Sequence, residues 1–189
     1  MSTVAARSQR NGVDVARLFA TLDAVKAHPG AAGFRFGVTS RWISGTHNRN
    51  EIGAFYGVGA GQRHDATFAV EADHPAVLAG GDAAPAPAEL LLAALASCLT
   101  SGLGNIAAVR EITLESVESR VEGDIGLRGI LGLPDEVRNG FSQIRVSFRV
   151  RGDASPGALR QLVRQAVARS AVDDVLTRGV PVSVDVAAA

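Results

Sequence analysis

Hydrophobic positions recur along this chain with two different periods. From Gly12 to His28, the residues Val15, Leu18, Phe19, Leu22 and Val25 repeat at helical spacing. Asp14 lies near the start, and His28-Pro29-Gly30 forms a stop. The pattern predicts an amphipathic helix with one face to bury. From Phe34 to Tyr56 the period falls to two, with Phe34, Phe36 and Val38 alternating in a stretch rich in β-branched and aromatic residues. Two strands joined near Ser44-Gly45 are expected there, and a third over Thr67 to Ala72. The Gly- and Pro-rich segment from Gly80 to Pro87 then interrupts the chain.

Between Pro85 and Leu103 the sequence reads PAPAELLLAALASCLTSGL. The run from Leu90 to Ala96 leaves little polar face, which predicts a central helix buried nearly all round. Ala93, Ala94, Ala96 and Ser97 would let a neighbouring helix approach closely. One small domain does not easily cover such a helix, and a second copy of the chain is the simplest source of cover.

Strands are expected in RVEGDIGLRGI and in FSQIRVSFRVRG, where Ile144, Val146, Phe148 and Val150 alternate. Ser155-Pro156 opens a last helix, PGALRQLVRQAVARSAVDDVL, with serine as cap and proline in the first turn. Its apolar stripe runs Leu159, Leu162, Val163, Ala166 and Val167, and Ser170 continues the same face. A short closing strand fits PVSVDVA. The order describes an α+β domain with a mostly antiparallel sheet. Residues 1–11 read as a flexible tail, 12–30 as an additional N-terminal helix, and 31–189 as a single domain.

Composition narrows the partners. A chain of 189 residues can bury a core of its own, and 19 basic residues against 19 acidic ones leave no net field to gather nucleic acid or an anionic membrane. Small molecules or another copy of the chain are the expected partners. One cysteine forms no internal disulfide, the first residues show no basic-then-apolar leader, and no apolar run reaches about 18 residues without interruption. A cytoplasmic protein of a reducing compartment is expected. The four histidines, His28, His47, His64 and His74, lack tight metal-ligand spacing, and GLRGILGLP is too scattered for a phosphate loop, so neither metal nor cofactor is expected.

The segment Pro-x-Glu-Leu-Leu-Leu-Ala-Ala-Leu-Ala-Ser-Cys-Leu, Pro87 to Leu99, resembles the cysteine-helix signature of the OsmC/Ohr family, the osmotically inducible and organic hydroperoxide resistance proteins. ARSAVDDVLTRGVPVSVDV resembles the family's second signature, and the resemblance extends over roughly Arg35 to Val186. It implies an intertwined homodimer with two long central helices back to back and sheets wrapped outside. It also implies thiol-dependent reduction of organic hydroperoxides. In that chemistry one cysteine attacks the peroxide and becomes a sulfenic acid, and a second cysteine condenses with it to a disulfide.

Carried onto this chain, the resemblance makes Cys98 the reactive cysteine and places Ser170 at the second-cysteine position. The family's activating glutamate falls at Ala88, with Glu89 beside it. Its activating arginine falls at Thr46 in the simplest alignment. Arg49 and Arg41 are the nearby substitutes, and Arg49 is preferred because it shares strand parity with His47 and Glu51.

Cys98 needs such help. A thiol in mid-helix gains nothing from the helix N-terminus, and apolar surroundings raise its pKa above the free value of about 8.5. Without a cation nearby it stays protonated and behaves as a small hydrophobe. Two function classes follow. One is a one-cysteine hydroperoxide reductase whose Cys98 sulfenic acid is resolved by an external low-molecular-weight thiol. The other is a non-catalytic, small-molecule-binding dimer in which Cys98 lines an apolar cleft.

Overall fold

A computed structural model describes residues 9–133 and 138–187. Most of the expected tail lies outside the described residues. Within them, β1 (Gln9–Arg10) pairs antiparallel with β2 (Val13–Asp14). Helix α1 (Val15–Ala27) follows, and the Asp14 side chain accepts the Arg17 N–H at 2.9 Å as its cap. The apolar stripe forms as predicted, yet no residue of α1 is buried, and Phe19 and Leu22 lie exposed.

By its contacts the chain divides into two units, Met1–Leu91 and Leu92–Ala189. In the first, β3 (Val38–Ser44) and β4 (His47–Ile52) form a hairpin around Gly45, which has a φ of 53°. A further small hairpin, β5 (Phe55–Gly57) and β6 (Ala60–Gln62), turns through Val58 and Gly59, both at positive φ. Strand β7 (Phe68–Ala72) then pairs with β4, giving an antiparallel sheet in the order β3-β4-β7. The register sorts side chains by charge. Arg41, Arg49, Glu51 and Glu71 share one face; Val38, Trp42, Phe68 and Val70 share the other and are exposed.

Helix α2 (Pro87–Val109) crosses from the first unit into the second. Beyond it come β8 (Leu114–Ile125), the short α3 (Leu127–Ile130), β9 (Phe141–Gly152), α4 (Pro156–Ala168) and α5 (Ala171–Arg178). Strands β8 and β9 form a long antiparallel hairpin with two unlike faces. On one, Val117 pairs with Val150 and Val121 with Val146. On the other, Arg149 meets Glu118 at 2.8 Å, Arg145 meets Asp124, and Arg151 meets Glu115 at 3.5 Å. Part of the apolar face packs beneath the helices. Leu103, Ile106 and Ala107 of α2 join Leu162 and Ala166 of α4 in a buried cluster, with Val117 and Val150 packed against it. Helices α2 and α4 approach each other at Gly102, where a Cβ would make ordinary van der Waals contact with Ala166 at 3.8 Å.

Four expectations change. The strand expected in RVEGDIGLRGI ends at Ile125, and Leu127–Ile130 form the short helix α3 instead. Helix α2 is buried along one stripe, including Leu95, Leu99 and Leu103, while Leu91, Ala94, Ser97 and Ser101 remain exposed. The predicted last helix is two helices. Arg169 ends α4, whose own start is capped by Ser155 as predicted, and Ser170 begins α5. Residues 180–187 form no strand, and Val182, Val184 and Val186 are at least 80% exposed.

Candidate active site

Cys98 sits in the middle of α2, half-buried, where the exposed and buried stripes of the helix meet. The break between α4 and α5 brings a second element to it. Ser170 is 5% exposed, and its hydroxyl donates to Cys98 Sγ at 3.1 Å. The same oxygen accepts the Asp173 N–H at 3.1 Å, which makes Ser170 the cap of α5. The sulfur therefore faces the N-terminus of a helix other than its own.

The electrostatics follow from this placement. Burial pushes the Cys98 thiol up, the largest single influence. The Ser170 hydroxyl opposes it, followed by the main-chain N–H groups of Val172 and Ala171, and Asp173 adds a smaller upward push through its charge. The balance lies below the usual thiol value. Hydrogen-bond donors at the start of a helix favour the thiolate, as its partial positive charge would any anion. The expectation that Cys98 gains nothing from a helix N-terminus is thus corrected: α5 supplies what α2 cannot.

The remaining sequence-predicted residues are engaged elsewhere. On β4, Arg49 donates to Glu71 at 2.8 Å and lies 3.7 Å from Glu51, while Arg41 meets Glu51 at 2.8 Å. Glu71 also receives His47 Nε2 at 3.0 Å, and its carboxyl is held below the usual range chiefly by His47 and then by Arg49. Glu89 lies in the first turn of α2 and accepts the Ala86 N–H at 2.8 Å, a helix-capping role. Among the described residues, no group of three His, Cys, Asp or Glu side chains is placed to hold a metal ion.

Thr46 has a different task. Its hydroxyl donates to the buried Asp73 at 2.5 Å, and the same carboxylate accepts the N–H groups of His74, Gly81 and Ala83. These donors, Thr46 first, hold Asp73 down to about 2. The loop they organise leads into α2. Gly80 has no alternative there, because a Cβ would strike the His74 carbonyl.

A family model described as OsmC-like protein matches residues 80–185, more than half of the chain. The chain belongs to the OsmC-like family. Solved structures of similar fold agree with the membership. The OsmC-like protein of Mycoplasma pneumoniae aligns with this OsmC-family chain at a TM-score of 0.57 and 14% identity, over 76% of this chain and 88% of that one. An organic hydroperoxide resistance protein from Elizabethkingia anophelis gives 0.52 and 17%, over 76% and 88%. The organic hydroperoxide resistance protein OsmC of Legionella pneumophila gives 0.50 and 18%, over 76% and 90%. At such identities the likeness shows the fold. No curated protein matches the sequence. The matched region contains both Cys98 and Ser170, while α1 and the β3-β4-β7 sheet of this OsmC-family protein precede it.

Proposed function

We propose that this protein is a one-cysteine, thiol-dependent organic hydroperoxide reductase. The observation that carries the reading is the Ser170 hydroxyl 3.1 Å from Cys98 Sγ at the head of α5, which favours a thiolate where an isolated helical cysteine would stay protonated. The Cys98 thiolate attacks the distal peroxide oxygen, the O–O bond breaks, and the departing alkoxide takes a proton to leave as alcohol. Cys98 is left as sulfenic acid. An external thiol condenses with it, releasing water and forming a mixed disulfide. A second thiol attacks that disulfide and restores Cys98. Overall one hydroperoxide and two thiols become one alcohol, one water and one external disulfide.

In this reading the activating groups are Ser170 and the α5 amides rather than Arg49, whose guanidinium already serves Glu71 and Glu51. The working unit is a homodimer. What supports this is the exposure of the apolar residues Leu91 and Ala94 on α2 and of Trp42, Val38 and Phe68 on the sheet, side chains that a second copy would cover.

Consumption of cumene hydroperoxide by the reduced protein, followed with and without added low-molecular-weight thiols, tests the reading. Turnover only with thiol, lost in Cys98→Ser, is expected. No turnover with any thiol would leave a dimeric binding protein in which Cys98 is lining.

A further inference from the structure

Between β9 and α4 lies an open cleft of about 500 Å³. Val146, Phe148 and Val150 of β9 form one wall, and Leu159 and Val163 of α4 form the other. Neither Cys98 nor Ser170 lines it. Pro156 and two guanidinium groups, Arg160 and Arg164, complete the lining. Both are exposed, and neither meets a carboxylate among the described residues. The contrast lies within the same unit: Arg120, Arg145, Arg149 and Arg151 on the outer hairpin face each have an acidic partner. Like charges four residues apart on a helix repel one another, so α4 carries a cost at this point that no carboxylate among the described residues relieves.

An apolar trough with two unpaired cations on one side is chemically an amphiphile site. We propose that this cleft binds a small amphipathic anion, an unbranched acyl chain of medium length with a carboxylate head. The chain lies along Val146, Phe148 and Val150, and the carboxylate sits between Arg160 and Arg164, whose planar forks suit bidentate pairing. The volume falls in the range of about 300–1,000 Å³ usual for small-molecule sites. The apolar surface of a second copy is the poorer occupant, because it would cover two guanidiniums without pairing them. The inference does not depend on the chemistry of Cys98.

Titration of the full chain with sodium decanoate below its micelle concentration, read through the methyl signals of Val146, Val150 and Val163, tests the proposal. Decanoate should move these signals saturably, and decanol, which lacks the charge, should bind about tenfold or more weakly. Arg160→Gln combined with Arg164→Gln should weaken decanoate by a similar factor while leaving the circular dichroism spectrum unchanged, since both side chains are exposed. Cys98→Ser should bind as the natural protein does. Equal binding of decanol and decanoate, or an unaffected double variant, would overturn the anion site. So would cleft methyls that stay silent at millimolar decanoate, whether because the ligand binds elsewhere or because a second copy covers the cleft.

Discussion

The Ser170 hydroxyl bridges two groups 3.1 Å away on either side, donating to Cys98 Sγ and accepting from the Asp173 amide. One side chain thereby starts a helix and turns the head of that helix toward a thiol. Substitution separates the two tasks.

Ser170→Ala removes the donor to sulfur that lowers the thiol most. The Cys98 pKa should rise, and alkylation by a neutral reagent at pH 7 should slow. Loss of the cap should cost about 0.5–2 kcal/mol of stability. Alkylation rates across pH, with a denaturant melt, check both effects. A titration curve identical to the natural protein's would show that Ser170 does not act on the sulfur.

Ser170→Cys places a second thiol where the hydroxyl now touches Sγ. Organic hydroperoxide should then produce a disulfide, a loss of two hydrogens by mass. The natural protein should instead gain oxygen, as sulfenic and then sulfinic acid. Two free thiols persisting after peroxide treatment would contradict the geometry.

Asp173→Asn keeps the backbone N–H that bonds Ser170 and deletes a charge that works against the thiolate. Cys98 should titrate lower and react faster at neutral pH. The helix loses an acidic residue from its first turn, a cost of about 0.3–1 kcal/mol. Faster chemistry from a less stable protein is the expected signature, and slower alkylation would count against it.

Asp73 ties stability to acid. Its folded pKa of about 2 lies below an unfolded value of about 3.9, so its contribution is present above pH 4 and is lost as pH falls from about 4 through 2. Thr46→Val removes the largest of the influences that lower it, so the folded pKa rises toward the unfolded one. The acid-unfolding midpoint followed by circular dichroism should move to higher pH. An unmoved midpoint would mean that this carboxylate does not govern acid stability.

Ala94 lies on the exposed stripe of α2 with Leu91, Ser97 and Ser101. If a second copy packs there, Ala94→Arg forces a charge between two close helices, and the protein should shift toward 19.5 kDa monomer in light scattering. A natural protein that is already monomeric at micromolar concentration would remove the dimer from the account.

Local signals predicted most elements. The alternation of Ile144, Val146, Phe148 and Val150 marked β9, the β-branched and aromatic stretch around Ser44-Gly45 marked the β3–β4 hairpin although the alternating Phe34 and Phe36 lie outside it, and the caps Asp14 and Ser155 were readable because an acidic or hydroxyl residue stood directly before an apolar stripe. The family signatures named Cys98 and Ser170 as neighbours. What they did not convey was how the two meet. Ser170-Ala171-Val172-Asp173 carries a helix-start pattern of its own, but the stripe running through Ala166 and Val167 suggested that one helix continued across it. The activating amides are main-chain atoms, which leave no trace in residue identity. Asp73 escaped notice for a related reason, since three of its four donors are backbone N–H groups. The closing strand needed an edge that its alternating valines could not specify.

A hydroxyl at position 170 is silent toward oxidants. A protein with two paired thiols can store an oxidising event within itself until a reductant arrives. This chain, once Cys98 is oxidised, can only hand the event to another molecule or suffer further damage. Its throughput would then follow the supply of small thiols around it, and the fraction of Cys98 caught as a mixed disulfide would report the identity and abundance of whatever thiol its surroundings provide.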